Sequence, residues 1–202
     1  MPHITPLDRL LAELETFGEQ HDRTVTAPDE RLRNITRDTG QFLAVLVRAT
    51  DARRILEIGT SNGYSTLWLA EAARAIGGRV TTVEWAADRW GMAGEHFACA
   101  GLAEVIESLH ADAGKVLERQ APASLDLVFL DADRAQYPDW WPRVREALVP
   151  GGLLVVDNAT SHAEELAPFI DLVEADPAFT TSLVPVGKGE FLATRSPAAA
   201  AG

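Results

Sequence analysis

An α/β fold is what this sequence predicts: a mostly parallel sheet with helices on both faces, ended by an antiparallel hairpin. Three observations predict it. From Arg54 onward, short apolar runs alternate with segments of helical periodicity. The runs Val128-Phe129-Leu130 and Leu153-Leu154-Val155-Val156 are apolar at every position, as strands covered on both faces are. The first strand runs into a turn carrying Gly59 and Gly63 before a helix begins, and in open α/β sheets ligands bind at such turns.

Leu7, Leu10, Leu11, Leu14 and Phe17 share one stripe and predict a helix over Leu7–Glu19. A loop including Thr24–Pro28 follows. A second helix is expected over Glu30–Ala49, with Phe42, Leu43, Leu46 and Val47 on its apolar side. The alternation then reads strand Arg54–Ile58, helix Tyr64–Ile76, strand Arg79–Glu84 and helix Ala87–Ala100. It continues with strand Val105–Leu109, helix Ala113–Gln120, strand Leu125–Leu130 and helix Pro138–Ala147. Strand Gly152–Asp157 and helix Glu164–Ala175 come next. Phe179–Val184 and Glu190–Thr194 form a hairpin around Gly187 and Gly189. Residues 1–195 are read as one domain, with the helices of residues 1–50 covering its site. Ser196–Gly202 is a small-residue tail expected to be disordered.

The chain has 202 residues, of which 47% are hydrophobic and 24% charged, enough to build one substantial core. Its net charge of −12 repels phosphate backbones and anionic lipid, so neither nucleic acid nor membrane is expected as a partner. The lysines are Lys115 and Lys188. With Cys99 alone, no intrachain disulfide can form, and a cytoplasmic location is expected. Cys99 itself is expected to be a buried, inert thiol in its helix. The opening residues show no leader pattern, and no apolar stretch reaches the ~20 residues that span a bilayer.

The strongest local signal is Ile55 to Ser65. Gly59 and Gly63 let a ligand approach the backbone closely. The pattern is neither Gly-x-Gly-x-x-Gly nor Gly-Lys-Ser/Thr, so it suits a ribose and an amino-acid moiety better than a pyrophosphate. Glu84 ends the next strand, where an acid can accept hydrogen bonds from both ribose hydroxyls. Asp112 stands either to meet an adenine amino group or to cap the following helix.

Two later strands also end in acids. One runs into Asp131-Ala132-Asp133-Arg134, the other into Asp157-Asn158. If these strands are parallel neighbours, Asp131, Asp157 and Asn158 converge and offer an oxygen-rich shell to a hard divalent cation, Mg²⁺ above all. The alternative is that they cap loops and helices. Asp133 either holds Arg134 or touches the cofactor. Tyr137, Trp140 and Trp141 either wall an acceptor site or pack helix against sheet.

Together, Gly40-Gln41-Phe42-Leu43, Ile55–Ser65, Val83-Glu84, Leu130–Tyr137 and Gly151–Asn158 resemble the cation-dependent O-methyltransferases of the catechol and caffeoyl-CoA type. The similarity spans roughly residues 30 to 195. It implies a Rossmann-like class I methyltransferase fold with a seven-stranded, mostly parallel sheet, and a homodimer. It implies S-adenosyl-L-methionine (AdoMet) as methyl donor and a small-molecule hydroxyl, catechol-like or phenolic, as acceptor. Gly59, Ser61, Gly63, Tyr64 and Ser65 would line the methionine side, Glu84 would bind the ribose and Trp85 would flank the adenine. Asp112 and Ala113 would lie at the adenine edge, with Asp131 also near the cofactor. Asp131, Asp157 and Asn158 would hold Mg²⁺, and Asp131 and Arg134 are the catalytic candidates.

The chain departs from that pattern at three places. Arg134 stands where the family carries a lysine, its usual general base, and arginine stays protonated, so it can only orient a group or stabilise an oxyanion. Ala159-Thr160-Ser161-His162 replaces an apolar-Trp continuation, and Lys188-Gly189 replaces Asp-Gly. The acceptor proton then has water, Asp133 or His162 to pass to, although His162 also reads as a surface helix-start residue. The competing functions are a metal-independent methyltransferase on the same fold, a nicotinamide-dependent oxidoreductase, and a non-catalytic AdoMet-binding protein.

Overall fold

The computed structural model describes residues 5–27 and 30–197. Helix α1 covers Pro6–Thr24, five residues beyond the expected end. Its start is fixed locally: Thr5 accepts the Asp8 backbone N–H, Asp8 answers to the Thr5 N–H, and Pro6 opens the first turn. Helix α2 covers Arg37–Ala49, so the expectation of helix from Glu30 is corrected. Asp22 takes the N–H groups of Leu32 and Arg33 at 2.7 and 2.9 Å, and Thr36 caps α2 by accepting the Thr39 N–H. The stretch before α2 thus stays extended while burying Leu32 and Ile35.

The remaining elements are β1 (Arg54–Ile58), α3 (Tyr64–Ala75), β2 (Arg79–Glu84), α4 (Ala87–Cys99), β3 (Ile106–His110) and α5 (Ala113–Glu118). After them come β4 (Leu125–Leu130), α6 (Tyr137–Ala147), β5 (Leu148–Val156), α7 (Ala163–Glu174), β6 (Phe179–Val184) and β7 (Glu190–Arg195). Most lie within two residues of expectation; β5 starts four residues early. Of the expected tail, Ser196 and Pro197 are described and 198–202 lie outside the described residues, as does Pro28 in the first loop.

The seven strands form one sheet in the order β3-β2-β1-β4-β5-β7-β6. β1 to β5 are parallel, and β7 runs antiparallel between β5 and β6. The expected Rossmann-like fold and closing hairpin are therefore found. Alternate residues divide between two cores, as pleating requires. Ile55, Leu127, Phe129, Leu153 and Val155 face α1–α4. Leu56, Ile58, Val128, Leu130, Leu154 and Val156 face α5–α7. Each such side chain contributes roughly 1.5–3 kcal/mol of burial. Chain order reverses beside β1, so the carboxyl ends of β1, β2, β4 and β5 border a crevice.

Cys99 is exposed, contrary to expectation. Ala93 and Phe97 occupy the buried side of α4, which turns position 99 outward. Among the described residues, no helix is long and apolar enough to cross a membrane.

Candidate active site

The turn after β1 is shaped by backbone constraint. Gly59 has φ +103°, and a Cβ there would overlap the Asp131 carbonyl. Its N–H donates to the Val83 carbonyl at 3.0 Å, holding the ends of β1 and β2 together. Ser61 sits at φ +49°, donates its N–H to Glu84 Oε2 at 2.8 Å, and donates its hydroxyl to the Leu32 carbonyl. The Ala86 N–H donates to Glu84 Oε1 at 2.9 Å. Glu84 is thus buried and clamped at the β2 end, next to the glycine turn. Each of its oxygens retains a further lone pair for a ligand.

These groups border a cavity of about 760 Å³, in the range of a cofactor site. Gly59, Ser61, Glu84, Trp85, Asp112, Ala113 and Asp131 all line it. Trp85 stands beside it 73% exposed. Asp112 caps α5, accepting the Lys115 N–H at 2.9 Å, and also lines the cavity. Trp140 contributes to the same wall. Gly63, Tyr64 and Ser65 are not among its lining residues. A side chain at Gly63 would overlap Phe97, the Tyr64 hydroxyl donates to Glu15, and the Ser65 hydroxyl donates to Glu57 at 2.5 Å.

Glu57 escaped the sequence reading. It lies in β1, fully buried, and takes hydroxyls from Ser65, Thr66 and Thr82. Burial pushes its carboxyl up to about 7 against these hydrogen bonds. The available signal was its parity: Glu57 shares a face with Ile55, where an apolar residue was due.

The acidic rim comes from the parallel pairing of β4 and β5. Leu130 and Val156 are register partners, so the next residues emerge side by side. The Asp157 N–H donates to the Leu130 carbonyl at 3.1 Å. Asn158, at φ +68°, donates from Nδ2 to Asp131 Oδ1 at 3.1 Å and to Asp157 Oδ2 at 2.8 Å. The three predicted side chains are therefore together. Burial raises the Asp131 carboxyl, Asp157 raises it further, and Lys188 and then Arg134 pull it back. A fourth polar residue, Glu190, was not anticipated. It is buried at the start of β7, accepts the Thr39 hydroxyl at 3.1 Å and is raised by burial and by Asp157. Among the described residues, no three His, Cys, Asp or Glu groups adopt a metal-holding arrangement.

A second cavity, also about 760 Å³, opens on the other side of this rim. Asn158, His162, Glu165 and Lys188 line it from α7 and the loops after β5 and β6, and Glu15, Asp22 and Arg37 from the N-terminal segment. Arg31, Arg33 and Arg134 line both cavities. Arg134 is held by Glu165, with Nε 2.8 Å from Oε2. Asp133 does not hold it. Asp133 accepts the Ala135 N–H and the Gln136 amide, and borders the first cavity. His162 starts α7 without a side-chain cap, its Nδ1 2.9 Å from Ser161 Oγ. Tyr137 and Trp141 are packing residues. The Tyr137 hydroxyl bonds to both backbone groups of Ala132, and Trp141 packs on Phe169 and Phe179.

The sequence profile of the O-methyltransferase family matches residues 8–196. A protein of Mycobacterium sp. (strain JLS) assigned as an O-methyltransferase is 34% identical over 192 residues, covering 86% of this chain and 87% of its own. The catechol O-methyltransferase of Mycobacterium tuberculosis (strain ATCC 25618 / H37Rv) is 38% identical over 127 residues, 61% of this chain and 56% of that one. Among solved structures, the O-methyltransferase TomG from Streptomyces achromogenes, involved in tomaymycin synthesis and in complex with SAM, is 29% identical. It has a TM-score of 0.75 and covers 94% of this chain and 90% of that one.

Proposed function

This chain belongs to the O-methyltransferase family and is an AdoMet-dependent O-methyltransferase, and we propose that it methylates a hydroxyl of a small catechol-like or phenolic acceptor with help from a divalent cation. The observation that carries the reading is the meeting of two cavities at one rim. Asp131 borders the first, Asn158 borders the second, and a 3.1 Å hydrogen bond joins them.

In this reading AdoMet occupies the first cavity and supplies a sulfonium methyl that needs no further activation. Glu84 accepts the ribose hydroxyls, Trp85 covers the adenine, Asp112 and Ala113 border its edge, and Gly59 and Ser61 flank the methionine part. Gly63, Tyr64 and Ser65 support that loop from behind. The acceptor enters the second cavity. The chain's remaining task is to align the acceptor oxygen with the methyl carbon, which can supply ~7–11 kcal/mol. It must also favour the deprotonated oxygen. Arg134, steered by Glu165 at the border of both cavities, orients the acceptor and offsets its negative charge. Water beside the open rim takes the proton.

The donor set fits a hard divalent cation. Two carboxylates and an amide meet at one point, and burial, then the neighbouring Asp157, raises the Asp131 carboxyl. Asn158 turns its amide nitrogen to the acids here, and a flip of the amide offers oxygen instead. A bound cation lowers the pKa of an acceptor hydroxyl. Asp131, Asp157 and Asn158 would hold it. We also propose that the chain forms a homodimer and binds neither nucleic acid nor membrane.

Calorimetry with AdoMet, followed by turnover of a catechol and phenol panel with Mg²⁺ or EDTA, tests this reading. Asp157→Ala is expected to keep AdoMet affinity within about threefold while losing the Mg²⁺ response, as removal of one hard ligand should. A variant responding to Mg²⁺ like the parent removes the metal assignment. Turnover that resists EDTA leaves methyl transfer standing without a metal.

A further inference from the structure

Lys188 sits at the tip of the β6–β7 hairpin, and the tip is wedged in place. Its carbonyl accepts the N–H groups of Thr160 and Ser161, each at 3.0 Å, and the Gly189 carbonyl accepts that of Ala159 at 2.8 Å. Those residues directly follow Asp157-Asn158. Gly187 (φ +56°) and Gly189 (φ +91°) are packed so closely that a Cβ would overlap Thr39 and Thr160 respectively. The Lys188 backbone therefore has one station, beside the acidic rim.

Its side chain is half-buried and lines the second cavity with Asn158, Arg134 and His162. Its charge reaches Asp131 more strongly than that of Arg134 does. Arg134 is drawn aside by Glu165, whereas Lys188 makes no ion pair with a described carboxylate. An ammonium group on a four-carbon stem adapts to a single anionic oxygen, while a guanidinium favours a planar, two-pronged partner. Among the lining residues of the second cavity, Lys188 thus supplies the ammonium group beside several guanidinium groups.

We propose that Lys188 is a further catalytic residue, whose ammonium group pairs with the acceptor oxygen as it ionises and holds it as the attacking oxyanion. The inference rests on the acceptor reading given above. The step balances without another reagent. The acceptor O–H bond breaks and its proton leaves to water. An electron pair on that oxygen forms the new O–CH₃ bond. The S–CH₃ bond breaks with its pair remaining on sulfur, so the sulfonium becomes a neutral thioether. Lys188 keeps its protons throughout and contributes positive charge at the oxygen, beside the carboxylates of the acidic rim.

The test uses 4-nitrocatechol, whose visible absorbance reports its ionisation, bound to the complex with S-adenosylhomocysteine at fixed Mg²⁺. The parent is expected to lower the pKa of the bound probe. Lys188→Met is expected to give back about one unit of that shift and to lose about tenfold in kcat/KM near neutral pH. Lys188→Arg should restore part of both. S-adenosylhomocysteine affinity should stay level in all three proteins, which checks that the first cavity is intact. A Lys188→Met protein with the parent's probe pKa and kcat/KM overturns the role of Lys188 and leaves the acceptor reading standing. A parent that binds S-adenosylhomocysteine but no probe overturns both.

Discussion

Both oxygens of Glu84 already accept backbone N–H groups, from Ser61 and Ala86. One carboxylate thereby fixes the turn that shapes the cavity and offers its remaining lone pairs to a ligand. Glu84→Gln keeps the size but sets an NH₂ against one of those N–H donors. AdoMet affinity is expected to fall about 10- to 100-fold by calorimetry, the equivalent of one charged hydrogen bond. Retained affinity would separate Glu84 from the cofactor. At this scale the sequence was read well where a residue ends a strand. Glu84, Asp131 and Asp157 were found because a polar side chain directly after an apolar run has one direction to go. Glu57, inside β1, and Glu190, at the start of β7, were missed because their burial depends on which hydroxyls and helices arrive from elsewhere. Thr39, the partner of Glu190, is 151 positions away.

At the level of elements, the N-terminal segment shows where periodicity misleads. The stretch before Arg37 continued the apolar spacing of α2, yet its N–H groups go to Asp22 and its Leu32 and Ile35 fill gaps in the core. No local rule reveals a hydrogen-bond partner ten residues upstream. The α2–α3 contact is a second long-range fit. Gly40 lies against the Trp68 indole, and a Cβ there would overlap the ring. Arg37 reaches over the same ring at 5.9 Å. Gly40→Ala is therefore expected to lower stability by about 1–3 kcal/mol in denaturant titration, through overpacking. Adding Trp68→Leu should recover part of it. If Gly40→Ala is instead stabilising, as a helical Gly-to-Ala change is in open space, this packing account fails.

For the whole molecule, stability should follow the ionisation of Glu57. Its folded pKa, about 7, stands above its ordinary 4.5. A raised acid contributes its full stability below the unfolded value and loses it as pH climbs through the folded one. Between about pH 5 and pH 8 the parent should therefore lose on the order of 3 kcal/mol. That is several degrees of Tm for a chain of this size. Glu57→Gln should flatten this dependence. Parallel pH profiles for the two proteins would show that Glu57 is already ionised, or already neutral, across the range. The overall architecture was legible because the runs Val128–Leu130 and Leu153–Val156 are apolar on both faces and each of β1 to β5 is followed by a helical stretch. Strand order was not: nothing local says that β7 inserts between β5 and β6.

That insertion bears on how the protein is made. Until residues 190–195 leave the ribosome, β5 lacks a neighbour on one side and β6 lacks one altogether. A nascent chain paused earlier exposes an apolar edge ready to join the edge of another molecule. Synthesis of β7 is then what seals the sheet, and the demand for chaperone protection falls once that strand has been made.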